Sequence, residues 1–230
     1  MKGCTWLAAV AVLVGVGAVS MADVTGKVTY EGPPVKPKRI NMQGVPQCAA
    51  LHVNPVFDPS IEVGAKGELK GVAVYVKNGT VAGGPPPQNP VVLDQVGCMY
   101  EPHVVTVMAG QPLQAKNSDG FLHNVHGLGK KNAQFNFPQM AQNQVNPIPA
   151  QQVETFKIKC DVHPWMSAWV VVVDNPYSAV TDAKGTFTIK GLKNGKYTLV
   201  AWQEKLGTQE AQIEVKDGKA TQDFKFVKKK

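Results

Sequence analysis

The sequence predicts an all-β protein built from sandwiches, and three observations carry that prediction. Short runs of alternating or β-branched residues recur along the chain; Gly, Pro, Asn and Asp punctuate them; and no segment keeps an apolar period of three to four residues between helix caps. With 230 residues, 43% hydrophobic and 18% charged, the chain holds enough apolar material for one large domain or two small ones.

The first 22 residues, MKGCTWLAAVAVLVGVGAVSMA, place one Lys before an apolar run and end on Ser20-Met21-Ala22. That order predicts a secretory signal peptide cut after Ala22, and the short, glycine-containing core disfavours a retained membrane anchor. After it, strands are predicted at residues 24–30 (VTGKVTY), 71–77 (GVAVYVK), 104–108 (VVTVM), 155–159 (TFKIK), 168–173 (AWVVVV), 186–190 (TFTIK), 196–202 (KYTLVAW) and 211–215 (AQIEV). The Pro-rich stretch GGPPPQNP at 83–90 reads as a linker, and Asp174-Asn175-Pro176-Tyr177 as a second. The two bracket a middle block of different character.

Export sets the cysteine arithmetic. Cys4 leaves with the signal, so the mature chain keeps Cys48, Cys98 and Cys160. In an oxidising compartment an odd number points to one disulfide and one thiol protected by other chemistry, with Cys160 the candidate for the latter. The net charge of +7 becomes +6 without Lys2, and residues 225–230 (KFVKKK) carry four of the positive charges. Basic residues are not interleaved with aromatics on one face, which disfavours nucleic acid; the charge suits solubility or docking to an acidic partner.

Residues 160–166, CDVHPWM, hold the chemistry. A blue electron-transfer copper site takes two imidazole nitrogens and a thiolate in a plane, with a thioether as weak axial ligand. The spacing C-x2-H-x2-M lets Cys160, His163 and Met166 converge within one loop. The second imidazole has to come from elsewhere, and Leu122-His123-Asn124-Val125 offers it. Zinc fits this set poorly, because a thioether is not among its usual ligands.

Residues 100–125, YEPHVVTVMAGQPLQAKNSDGFLHNV, show an aromatic-x-Pro start, a V-x-x-G turn, an Asn-x-Asp corner and then His-Asn-Val. With the loop at 160–166, this order resembles the cupredoxins, most closely their amicyanin-like members, over about residues 92–174. The resemblance implies a Greek-key sandwich at residues 90–175 and one type 1 copper bound by His123, Cys160, His163 and Met166. It also implies that Asn124 braces the ligand loop. Trp165 where a smaller aromatic is usual, Asp161-Val162 within the loop, and the long stretch 127–152 depart from the pattern. Separately, VTDAKGTFTIKGLKNGKYTLVAW at 180–202 carries D-x-x-G-x-F-x-I-x-G-L-x-x-G-x-Y, with Gly185, Gly191 and Gly195 at the turns. It resembles the carboxypeptidase regulatory-like, transthyretin-like domain over residues 180–226. The G-x-V and A-V-x-V strands that open this family occur as Gly26-Lys27-Val28 and Ala73-Val74-Tyr75-Val76. The expected layout is a discontinuous sandwich, 23–82 plus 176–230, with the copper domain inserted in one of its loops.

The remaining histidines are His126, expected across the sheet face from His123 and either exposed or behind the ligands, and His52 and His103, near Cys48 and Cys98. Export favours a Cys48–Cys98 disulfide tying the two domains together; a second metal site made by these four residues is the alternative. A site closed by four protein ligands has no position for substrate, so the expected function is electron transfer rather than catalysis. Five histidines are also too few for a multicopper enzyme. Cupredoxins imply that the ring edge of His163, flanked by Pro164 and Trp165, is the electron port. The expected setting is the periplasm or secretion, with a redox partner protein and no membrane span once the signal is cut. Two other readings stay open: a copper carrier, and an envelope binding module in which copper is structural.

Overall fold

The computed structural model describes residues 21–216 and 218–228; the signal-peptide expectation, with Cys4, falls almost wholly outside them. Nearly every element is a strand. One sandwich stacks two sheets. The first runs in the order Phe135–Gln139, His123–Gly127, Thr155–Lys159, Ser167–Val173, Val104–Met108. The second runs Gln144–Pro147, Leu113–Asn117, Val91–Val96, Met99–Glu101. Two strand pairs are parallel, Ser167–Val173 with Val104–Met108 and Val91–Val96 with Leu113–Asn117, so the chain crosses between sheets instead of meandering. Leu93, Leu113, Val125, Phe156, Ile158 and Val170 fill the space between the sheets. Burying each such side chain contributes about 1.5–3 kcal/mol before chain entropy is counted.

The other sandwich is centred on Met21–Glu31, which pairs antiparallel with Thr186–Lys193 and parallel with Lys219–Thr221 and Phe224–Val227. Its facing sheet runs Ser178–Val180, Ala73–Val76, Gly195–Gln203, Gly207–Val215. Alternation over residues 186–190 sends Phe187 and Ile189 inward from Thr186–Lys193, onto Val28, Leu69, Leu199 and Phe226. At Gly185 and Gly26 close contact excludes a side chain. Gly185 has φ +70° and a Cβ there would sit 2.4 Å from the Val28 carbonyl oxygen; at Gly26 a Cβ would lie 1.8 Å from that of Gln222.

Two of the chain's crossings between the sandwiches run side by side. The Gly79 N–H donates to the Asp174 carboxylate at 2.5 Å, the Asp174 N–H to Asn78 Oδ1 at 3.0 Å, and Asn175 Nδ2 to the Val76 carbonyl at 3.1 Å. Ala73, Val104, Val171 and Val173 pack where the sandwiches meet, beside the Trp169 and Trp202 rings, 5.3 Å apart. Residues 40–57 depart from the expected division at residues 23–82. This segment contains one turn of helix, Pro46–Ala49, and Ile40, Met42, Val45, Cys48, Ala49 and Val56 pack onto the core of the sandwich that carries the Cys-His-Met loop. It has no strand periodicity to advertise its destination; its apolar side chains and a disulfide decide it. Among the described residues no helix is long and apolar enough to cross a membrane.

Candidate metal centre

The loop after Thr155–Lys159 turns back on itself through its own hydrogen bonds. The Cys160 N–H donates to the Met166 carbonyl at 3.1 Å, the Met166 N–H to the His163 carbonyl at 2.9 Å, and the His163 N–H to Cys160 Sγ at 3.4 Å. These bonds close residues 160–166 into one turn, with the side chains of Cys160, His163 and Met166 buried. Met166 is fully buried in the core that also holds Cys160.

His123 begins its strand at the same end of the sandwich, and its Nδ1 lies 2.9 Å from His163 Nδ1. Cys160 Sγ is 3.9 Å from His163 Nδ1, and the three donors lie within 4.8 Å of one another. Three of the expected four ligands thus come from one hydrogen-bonded loop, while His123 arrives by sheet topology. His123, Cys160, His163 and Met166 are 0%, 2%, 1% and 0% exposed.

The orientation of His123 is fixed from behind. Its Nε2 lies 2.8 Å from the Asp119 carboxylate, which can only accept, so Nε2 carries the proton and Nδ1 offers a lone pair. Asp119 also accepts the N–H groups of Gly97 and Cys98, each at 2.8 Å. Those residues form a two-residue hairpin turn with φ +63° and +54°. Left-handed backbone is uncommon for a residue with a Cβ, and at Cys98 it is held by the Asp119 carboxylate and by the bond to Cys48, 5.7 Å away between Cα atoms. Asp119 is itself placed by Asn117, whose Oδ1 accepts its N–H at 3.0 Å. In the sequence Asp119 stands out only as part of an Asn-x-Asp corner; its four-residue spacing before His123 is the signal that marks it.

On the outer side, Asn124 ties the two ligand segments together. Its Oδ1 accepts the Asp161 N–H at 2.5 Å, and its Nδ2 donates to Asn136 at 2.6 Å and to the Asp161 carboxylate at 3.3 Å. His126 does not reach the donors; it pairs with Asp161 at 2.9 Å, as do Asn136 at 2.9 Å and Lys159 at 2.7 Å. These partners hold the Asp161 carboxyl well below the usual range, led by the Lys159 bond.

The titration behaviour of the donors follows from the same contacts. Burial would raise the Cys160 thiol, yet hydrogen bonds from His123 and from the N–H groups of Asn124, His163 and Val162 outweigh it and lower the thiol. Burial would lower His123, but the bonds to Asp119 and Cys160 raise it. His163, without such a partner, is lowered by burial and by the charge of His123.

An ion bonded at about 2.0 Å to nitrogen and 2.3 Å to sulfur needs donors roughly 3 to 4 Å apart. The separations of 2.9 and 3.9 Å meet this without moving an element. Two imidazoles, a thiol lowered toward thiolate and a buried thioether form a donor set suited to copper, and the residues therefore fit the ion the sequence implied.

Two expectations need correction. The His163 ring edge does not reach solvent: the ring is packed against Trp165 at 5.3 Å and Phe121 at 6.5 Å, and a ring nitrogen lies within 4.8 Å of both disulfide sulfurs. Of the expected port only Pro164 is exposed, with Trp165 half-buried. Segment 40–57 contributes Cys48 to that cover. Cys48 and Cys98 are bonded to each other, but both sit in one core, so the disulfide clamps that segment over the site and does not bridge the two cores. Their neighbours are not brought together as ligands. His52 Nε2 bonds the Gly97 carbonyl at 2.7 Å, and the ring nitrogens of His103 face the Ser167 carbonyl and the Glu204 carboxylate.

The family model of the carboxypeptidase regulatory-like domain matches residues 163–227. Among solved structures, a reduced tryptophan-to-tyrosine variant of amicyanin is 27% identical, over 36% of this chain and 81% of its own, with a TM-score of 0.34. A proline-to-glycine variant of amicyanin in its reduced Cu(I) form is 24% identical over 43% and 97%, TM-score 0.34. A copper-containing nitrite reductase from Thermus scotoductus is 18% identical over 62% of this chain and 28% of its own, TM-score 0.35. No curated protein matches the chain significantly.

Proposed function

We propose that this chain is an exported electron-transfer protein with one mononuclear type 1 copper bound by His123, Cys160, His163 and Met166. The observation that carries the reading is the convergence of two Nδ1 atoms and one Sγ within 4.8 Å, all nearly sealed from water. Copper bound there supplies one-electron chemistry between Cu(II) and Cu(I).

The chain's own residues keep that chemistry outer-sphere. Asp119 and the Asn124–Asp161 bonds hold the donors in one arrangement, so little need move when the charge changes. Burial of all four side chains leaves no approach for a substrate ligand and argues for a resident ion over a cargo passed to another protein. The Cys48–Cys98 disulfide is in keeping with an oxidising compartment.

The deciding experiment is the visible absorption and electron paramagnetic resonance spectrum after addition of Cu(II), beside Cys160→Ser. An intense red-region thiolate band with narrow hyperfine splitting, absent in the variant, is expected. A colourless protein that fails to retain copper would sink the reading.

A further inference from the structure

Covering His163 leaves open where a partner approaches, and the surface beside Trp165 answers it. We infer that the cleft between the two sandwiches at Trp165 is the docking site for an acidic face of the redox partner; this rests on the electron-transfer reading. The cleft encloses about 470 Å³ and has Pro164 and Trp165 on one side. The Trp165 ring lies 5.3 Å from the His163 ring, and its indole N–H donates to the Cys98 carbonyl at 3.0 Å. Trp165 is thus the half-buried aromatic between the donor set and this opening, held by a hydrogen bond in one orientation.

Around it stand Lys38, Arg39, Lys157 and Lys205, contributed by residues 38–58 and by both sandwiches. Two carboxylates share the cleft, Asp58 and Glu204. Glu204 is committed to His103 and lies 3.7 Å from Lys205, with its side chain 5% exposed. Among the described residues Lys38, Arg39 and Lys157 enter no ion pair. The surface charge offered is therefore positive, and its complement is a cluster of carboxylates. An apolar and aromatic centre beside an excess of cations, four against two carboxylates, fits a transient partner that must approach closely and leave quickly.

The test titrates the ¹⁵N-labelled, metal-free full chain with a hexaglutamate peptide, following the Trp165 indole and the backbone amides. We expect saturable shifts confined to residues 38–41, 157, 165 and 205, weakening as salt shortens the Debye length to about 10 Å at 0.1 M. Lys38→Glu/Lys157→Glu should weaken binding about tenfold or more, while Lys190→Glu/Lys196→Glu, of the same net charge on the remote sandwich, should leave it within about twofold. Shifts spread over the surface, or equal losses in the two variants, would overturn the proposal. Binding as expected beside a copper-loaded protein lacking the Cys160-dependent band would overturn the electron-transfer reading, and the partner's redox identity with it, while the docking site stood.

Discussion

Removing the disulfide that clamps the cover over His163 tests the architecture of the site most directly. In Cys48→Ala/Cys98→Ala the lost cross-link frees a loop of 50 residues in the unfolded chain. Loop-closure entropy for that length is about 4 kcal/mol at 25 °C. Both sulfurs are fully buried in a packed core, so the native state gains nothing to offset this. A loss of that size would lower Tm by roughly 8–16 °C for a chain of this length.

Urea unfolding followed by tryptophan fluorescence measures it, since Trp165 donates to the Cys98 carbonyl and reports on this corner. A second readout comes from the metal-free protein. Burial, then the charge of His123, lowers His163; with the cover loosened, its ring resonances should titrate closer to about 6.5. A loss below about 1 kcal/mol, with the His163 titration unchanged, would refute the reasoning. The apolar contacts of Ile40, Met42 and Val56 would then be what holds the segment.

Further outcomes follow from individual contacts. Asp119→Asn removes the charge behind His123 and turns one of two accepting oxygens into a donor that faces an N–H, and it should weaken metal binding about 10- to 100-fold in chelator competition. Glu154 accepts the N–H groups of Lys130, Lys131 and Asn132, which, against the opposing effect of burial, hold its carboxyl down to about 2. A lowered carboxyl stabilises above its unfolded value and loses that contribution as pH falls through its folded one, so the urea midpoint should drop between about pH 4.5 and 2. Glu154→Gln should abolish that part of the drop, worth about 1 kcal/mol once solvent screening is counted. The lowered Cys160 thiol predicts thiolate absorbance near 240 nm in the folded metal-free protein at a pH below the ordinary cysteine value, shifting up on denaturation. Gly26→Ala drives a Cβ to 1.8 Å from the Gln222 carbonyl and should cost about 1–3 kcal/mol by calorimetry.

The strands read from the sequence are those whose side chains announce themselves. Val104–Met108, Thr155–Lys159 and Thr186–Lys193 alternate or carry β-branched runs, because one or both faces are buried. Phe135–Gln139 and Gln144–Pro147 carry no such signal, being rich in Gln, Asn and Pro; they pair at sheet edges, where burial imposes little pattern.

At the site, the spacing from Cys160 to Met166 determined a local turn, and hydrogen bonds among seven consecutive residues are encoded locally. The His-Asn pair at 123–124 was legible only through resemblance, since 37 residues separate it from that loop's Asp161, to which Asn124 bonds. Tertiary structure alone decided the role of Asp119, the destination of residues 40–57 and the burial of His163. Each depends on contacts between segments whose separation in sequence leaves no period or motif. The sequence could specify which donors the site holds, because donor chemistry belongs to single residues; which face of it meets solvent is a property of packing, and packing placed a disulfide over His163 and left Trp165 beside the cleft.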